Sequence, residues 1–386
     1  MRPLPLLSLS LSLSLSTLVL ASDFNPREYT KHKRFATCDA VKRNADHAVV
    51  QITMNDSRAT HPPVGYVDIN PTAEKTLLLV HGWPSLWSSW AYQIQAFKND
   101  YRLIIPDLRG FGDSTHPDDV ESSGTMYDHV GDLACILHHA QVPKAKGKAI
   151  CVGHDWGSAV CYEAGRSRPD LVDAVVGVAV PYIPSAGDFV PIKHLVPVLP
   201  KLRYQLFFSG KTEEAVAELD RDIKRSVRAT LRTGGSPPPE TFLTSEETFL
   251  GAWGEVDEIP PVPFFSEEEE EYFVEEYGKQ GFRNTLQFYT DSNRYATWKF
   301  VNDQGNHTIP QPVLAVLPKH DPVADWALAV KLLKSEMFLP QLTTEMIEGG
   351  HWAHIEFPEE FNAVLKRWLD GLGKKKEEEA RVVDEL

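Results

Sequence analysis

The sequence predicts an α/β fold, a mostly parallel central sheet flanked by helices, with a helical domain inserted ahead of its last strands. Short continuous apolar runs alternate with helix-like stretches, the pattern of strands buried on both faces of a parallel sheet. That alternation stops after residue 181 and resumes at residue 312. Between the two breaks lies no apolar run of core-strand type. The apolar run from Ala149 also ends in Gly153-His154-Asp155-Trp156-Gly157, ahead of a helix-like segment. Small residues flanking a central residue between strand and helix mark a sharp, strained turn that pushes its central side chain above the sheet.

The 386 residues are enough to bury a large core, and 42% apolar with 24% charged residues is ordinary for a globular chain. A net charge of -15 lacks the basic face that nucleic acid needs, so no nucleic-acid partner is expected. Cys38, Cys135, Cys151 and Cys161 show no C-x-x-C spacing. Cys151 falls in an apolar strand and Cys161 in the helix after it, so both are expected as buried free thiols, with no structural disulfide. No metal constellation and no cofactor fingerprint is present, so neither is expected.

The two ends are unlike the middle. Arg2 precedes a Leu/Ser-rich run over residues 4–20, and Val19-Leu20-Ala21 resembles a small-x-small cleavage site. Residues 1–21 are expected to be a signal peptide, and the serine-broken run gives no stable membrane span. Residues 373–386 form a charged tail ending Val383-Asp384-Glu385-Leu386, which differs from an endoplasmic-reticulum retention signal only at its first position. Together the two ends suggest the secretory pathway, either the reticulum lumen or secretion, and the sequons Asn55-Asp56-Ser57 and Asn306-His307-Thr308 are compatible with that route while adding little to it.

In chain order, residues 22–46 are polar and show no clear strand. Alternating apolar positions over 47–54 and 64–69 predict an antiparallel pair that opens the fold. Residues 76–80 form a buried strand ending in His81-Gly82-Trp83-Pro84, and 101–105 form another ending in Pro106-Asp107-Leu108-Arg109-Gly110. A helix over 127–140 leads into the strand before Asp155, and 174–180 is the next strand. Core residues 22–181 thus precede an inserted helical domain over 182–311, which contains a pentaglutamate, residues 267–271, read as a solvated helix start after the cap Ser266. The core resumes over 312–372. A strand over 312–317 ends in Lys319-His320-Asp321, a helix covers 326–333, a strand over 343–348 ends in Gly349-Gly350-His351, and a helix over 359–369 closes the core.

Asp155, Asp321 and His351 therefore stand at strand ends in the chain order nucleophile, acid, histidine. Catalytic groups of open parallel sheets gather beyond the carboxyl ends of the strands, where all three fall. A carboxylate at the turn suits displacement at a saturated carbon, which leaves an alkyl-enzyme ester. Histidine then activates water, held in the right tautomer by the acid. Ester hydrolysis builds an oxyanion on Asp155 itself, and the backbone N–H groups of Trp83 and Trp156 are placed to meet it.

The His81-Gly82-Trp83-Pro84 and Gly153-His154-Asp155-Trp156-Gly157 motifs resemble those of α/β-hydrolase-fold epoxide hydrolases, over about residues 35–370. The resemblance is nearest to the hydrolase domain of the soluble class. It implies the α/β-hydrolase fold with a helical cap, conversion of an apolar epoxide and water to a vicinal diol, no cofactor, and two cap tyrosines that donate to the epoxide oxygen. Arg203-Tyr204-Gln205-Leu206-Phe207-Phe208 resembles the first tyrosine segment, placing that role on Tyr204. Leu286-Gln287-Phe288-Tyr289, upstream of Arg294 and Trp298, places the second on Tyr289, with Tyr295 and Tyr182 as alternatives. Neutral phenols assist where an alkoxide develops. His154, His81, His320, His354 and an Asp107-Arg109 pair are expected to be structural.

A haloalkane or fluoroacetate dehalogenase would share Asp155, Asp321 and His351. Haloalkane dehalogenases, however, typically carry asparagine where Trp83 stands, and a halide needs no tyrosine pair. A non-catalytic hydrolase-fold binding protein would have no use for the intact set, and a serine esterase would need serine at position 155. At this length the extra phosphatase domain of some soluble-class relatives is not expected.

Overall fold

The computed structural model describes residues 24–43, 49–53, 64–142 and 147–384. The expected signal peptide, the Asn55 sequon and Glu385-Leu386 lie outside the described residues. The strands are β1 (Lys33–Ala36), β2 (Asp39–Arg43), β3 (Val49–Thr53), β4 (Val64–Ile69), β5 (Thr76–Val80), β6 (Arg102–Pro106), β7 (Ala149–His154), β8 (Val172–Val178), β9 (Val313–Pro318) and β10 (Leu342–Ile347). The α-helices used below are α1 (Ala91–Phe97), α2 (Met126–His139), α3 (Trp156–Ser167), α4 (Tyr204–Gly210), α5 (Thr212–Asp220), α6 (Ile223–Thr230), α7 (Glu267–Gly278), α8 (Asp291–Gln304), α9 (Trp326–Leu332), α10 (Ala353–Glu356) and α11 (Pro358–Asp384).

Eight strands form one sheet in the order β1-β4-β6-β5-β7-β8-β9-β10, antiparallel only where β4 meets β1 and β6. The continuous apolar runs are buried along their whole length in β5, β6, β7 and β9, as strands covered on both faces must be. Alternate residues serve the two layers. Leu78, Val80 and Cys151 pack with α2 and α3 residues such as Leu137 and Val160. Leu77, Leu79 and Val152 pack with α1 and α11 residues such as Ile94 and Leu365 on the other side. The strand order turns back beside β5: β6 lies on one side of it and β7 on the other. Such a reversal opens a crevice at the carboxyl ends of the strands.

Several expectations need correcting. Residues 47–54 and 64–69 do not pair with each other. Val49–Thr53 pairs with Asp39–Arg43 in a separate two-stranded sheet, and Val64–Ile69 pairs with β1 and β6. Apolar alternation identifies a strand but not its partner. Two of these partners, β1 and β2, came from residues 22–46, read as strandless because β1 is a short, basic edge with Arg34 and Phe35 exposed, the kind of edge that resists further pairing.

The cysteines are not free. Cys38 bonds Cys135, with Cα atoms 5.8 Å apart, and Cys151 bonds Cys161 at 5.5 Å. Both contacts are made by packing, of α2 near β2 and of α3 on β7, which sequence spacing does not register. The pentaglutamate is only partly a solvated helix start. Glu269 accepts from the Ser266 N–H at 2.8 Å in a capping box, and buried Glu270 pairs with Arg228 at 2.7 Å. The closing helix also runs past residue 369, to Asp384.

Candidate active site

Asp155 sits at φ 54° and ψ −121°, between β7 and α3. That positive φ is strained for a residue with a Cβ, and neighbouring glycines make room for it. A Cβ on Gly157 would stand 2.1 Å from the Val80 carbonyl oxygen, and one on Gly82 would stand 2.5 Å from Asp155 Oδ1. Only glycine permits the β5 loop and the turn after β7 to approach so closely.

The approach sets the site. The Trp83 N–H donates to Asp155 Oδ1 at 2.8 Å. His351, in the loop after β10, places Nε2 3.4 Å from Asp155 Oδ2 and Nδ1 2.8 Å from Asp321 Oδ2. A carboxylate can only accept, so the Nδ1 that faces Asp321 carries a proton whether His351 is neutral or charged. Asp321 is fully enclosed and further held by the Val323 N–H at 2.8 Å and the Trp326 indole N–H at 2.7 Å. His154 donates from Nε2 to the His351 carbonyl at 2.8 Å and steadies its backbone. Burial pushes the His351 pKa down, but the charges of Asp321 and Asp155 and their hydrogen bonds outweigh it and raise it to about 10.

The helices between β8 and β9 supply the rest. Tyr204 opens α4, and Tyr289 closes the turn before α8. Both line the same cavity as Asp155 and His351, a chamber of about 980 Å³ with mostly apolar walls. Their rings lie 5.8 Å apart, and Tyr289 stands 5.4 Å from Trp83 and 5.5 Å from Trp156. Burial raises both phenols, Tyr204 to about 12 and Tyr289 well above the ordinary range, so both keep their protons at neutral pH. Neither alternative has a free phenol in the cavity: Tyr295 is exposed, and Tyr182, which lines the same cavity, gives its hydroxyl to the His307 carbonyl at 2.8 Å. The Trp156 ring stacks on Phe288 at 5.3 Å, and the Trp83 indole N–H is taken by Thr285 at 3.1 Å.

Of the residues expected to be structural, buried His81 accepts from the Leu108 N–H at 3.0 Å. Burial lowers its pKa to about 4, so it stays neutral. His354 is buried, while His320 is exposed beside Glu348. Asp107 and Arg109 do not pair with each other: Asp107 accepts from the Trp87 N–H at 2.9 Å, and Arg109 makes a bidentate bond to Asp132 at 2.6 and 2.7 Å. Three contributors escaped the sequence reading. Trp326 was visible only as a helix start. Gln205 and Arg294 were visible only as neighbours of the tyrosines. Among the described residues, no group of three or more His, Cys, Asp or Glu is arranged to hold a metal ion, and no helix is long and apolar enough to cross a membrane.

A family model described as alpha/beta hydrolase fold matches residues 75–358. Bifunctional epoxide hydrolase 2 of Mus musculus is 28% identical over 337 residues, 83% of this chain and 57% of the mouse protein. The chain thus spans little more than half the length of that relative. Epoxide hydrolase A of Mycobacterium tuberculosis is 28% identical over 79% of this chain and 94% of its own length. Among solved structures, Epoxide Hydrolase A from Mycobacterium thermoresistibile superposes with a TM-score of 0.67 at 26% identity, over 80% of this chain and 95% of the other.

Proposed function

The chain belongs to the α/β-hydrolase fold family, and from that premise we propose that it is an epoxide hydrolase, converting an apolar epoxide and water to a vicinal diol. The observation that carries the reading is the junction of Asp155, His351 and Asp321 with two buried, protonated phenols in one apolar cavity. The names of the relatives agree with it.

In the first step a carboxylate oxygen of Asp155 attacks a ring carbon, the carbon–oxygen bond of the epoxide breaks, and the leaving oxygen takes a proton from the tyrosine pair. A hydroxyalkyl ester and a phenolate result. Esterification removes the Asp155 charge that helps hold the proton on His351. With that charge gone the His351 pKa falls and its Nε2 proton passes through solvent to the phenolate, leaving a neutral imidazole whose free Nε2 can act as a base. Neutral His351 then takes a proton from water as the water oxygen attacks the ester carbonyl. The oxyanion forms on Asp155, where the Trp83 N–H already lies at 2.8 Å. Trp156 opens α3, where a backbone N–H has no earlier carbonyl within the helix, and it serves as the second donor. Collapse releases the diol and restores the Asp155 carboxylate beside protonated His351, so every proton is returned.

A dehalogenase would need two donors converging on a halide. The Trp83 indole N–H is committed to Thr285, and protonated phenols have no work with that leaving group. Converting a panel of alkyl, aryl and fatty-acid epoxides with wild type and Asp155→Ala tests the proposal. Diol from wild type and none from the variant is expected. Halide released from haloalkanes without any diol would hand the site to the dehalogenase, and inactivity of folded protein on both panels would favour a binding protein. We also propose the secretory route, because two disulfides suit an oxidising compartment and Asn306 is exposed. Unchanged localisation on deleting the last four residues would remove the retention signal from that proposal.

A further inference from the structure

The wall that carries Tyr204 holds two polar side chains unused by this chemistry. Gln205 is buried beside it on α4, and Arg294 reaches over from α8; both line the cavity. Arg294 donates from Nη2 to Gln205 Oε1 at 2.7 Å and from Nε to the Phe288 carbonyl at 3.0 Å. Its guanidinium carbon lies 5.3 Å from the centre of the Trp156 ring and 5.8 Å from that of Tyr289. Gln205 in turn donates from Nε2 to Tyr204 Oη at 3.1 Å.

The direction of these bonds is forced. A guanidinium has donors only, so the carbonyl end of the Gln205 amide must face Arg294. The NH₂ end then faces Tyr204, and the tyrosine oxygen is the acceptor. Tyr204 also exchanges a hydrogen bond with Tyr289. With Gln205 closed to it as an acceptor, the Tyr204 proton is left to the Tyr289 oxygen or to the cavity, where a leaving oxygen can take it. The same amide N–H steadies negative charge on the Tyr204 oxygen as that proton departs.

We propose that Arg294 and Gln205 are positioning residues that act as a polarity-setting relay, fixing Tyr204 as the donor whose proton passes to the leaving oxygen. This rests on the epoxide-hydrolase reading, with Tyr289 as the assisting phenol.

The test compares Gln205→Glu and Gln205→Met in single-turnover alkylation of Asp155 by an epoxide that wild type converts. Glutamate is nearly isosteric and can only accept, so it captures the Tyr204 proton; alkylation is expected to slow about a hundredfold. Methionine removes the donor without adding an acceptor, and about tenfold is expected. A merely structural tie between α4 and α8 predicts the reverse order, because glutamate would strengthen the link to Arg294 and methionine would abolish it. Thermal unfolding of both variants confirms the fold. In a Tyr204→Phe background, Gln205→Glu is expected to add little, since its effect passes through the phenol. Alkylation faster in Gln205→Glu than in Gln205→Met overturns the relay, as does an undiminished effect in that background. Absence of diol from wild type is a different outcome, which removes the epoxide-hydrolase reading and the relay with it.

Discussion

Replacing Asp155 by asparagine removes one of the two negative charges flanking His351 while keeping the side-chain volume. It also imitates the charge of the alkyl-enzyme ester, so it isolates the event proposed to turn His351 into a base. Nε2 of His351 and Oδ2 of Asp155 are 3.4 Å apart, with only 16% and 14% of the two side chains exposed. At an effective dielectric constant of about 20, opposite unit charges at that distance attract by about 5 kcal/mol, or more than three pKa units. The wild-type value of about 10 should therefore fall to near neutrality in Asp155→Asn. Titrating the ring carbon of selectively labelled histidine by NMR would follow this, with the His351 signal assigned among the 14 histidines by its loss in His351→Gln. Mass spectrometry would confirm that the new amide has not hydrolysed back to aspartate. A His351 signal that still titrates within about one unit of its wild-type value would refute the reasoning, because one unit is far less than the charge pair requires. The Asp321 contact would then hold the proton alone, and esterification could not release it.

Other perturbations reach separate parts of the site. Tyr204→Phe and Tyr289→Phe should each slow single-turnover alkylation, by about a hundredfold for the proton donor, without slowing hydrolysis of ester already formed. Equal slowing of both steps would contradict their assignment to the leaving oxygen. Gly82→Ala should cost at least a hundredfold in turnover, since its methyl group would stand 2.5 Å from Asp155 Oδ1 and 2.6 Å from the His154 carbonyl oxygen, and losses of about that size follow from small misplacements of reacting groups. Diol assays alongside circular dichroism would separate this from unfolding. Replacing Cys38 and Cys135 by alanine should lower stability to denaturant by up to about 5 kcal/mol, against about 3 kcal/mol for Cys151 and Cys161, because the first bond closes the much longer loop. The opposite order would show that local packing, not loop closure, sets their contributions.

What the sequence made legible follows from where chemistry constrains residue type. Asp155, Asp321 and His351 were readable because each ends an apolar run at a turn, and because their types fall in the chain order nucleophile, acid, histidine. Trp83 was readable because the loop after the neighbouring strand must supply an N–H. Tyr204 and Tyr289 were readable only through resemblance, since a buried tyrosine in a helical domain otherwise reads as packing. Contacts between distant segments stayed hidden. The β1 edge is too short and charged to register as a strand, and the bond between Cys38 and Cys135 joins residues 97 apart. Arg294 meets Gln205 only because the fold brings together residues 89 apart in sequence, and Trp326 reaches Asp321 only because the loop before α9 turns back on itself.

The central claim is that water attacks an ester on Asp155 and never the epoxide itself. A single turnover of excess enzyme in oxygen-18 water tests it most directly, with mass spectrometry of both the diol and the peptide that contains Asp155. Attack on the ester carbonyl puts the heavy oxygen into the Asp155 carboxylate and leaves the first diol unlabelled. A labelled first diol and an unlabelled Asp155 would mean that water opens the ring directly, with Asp155 in a supporting role.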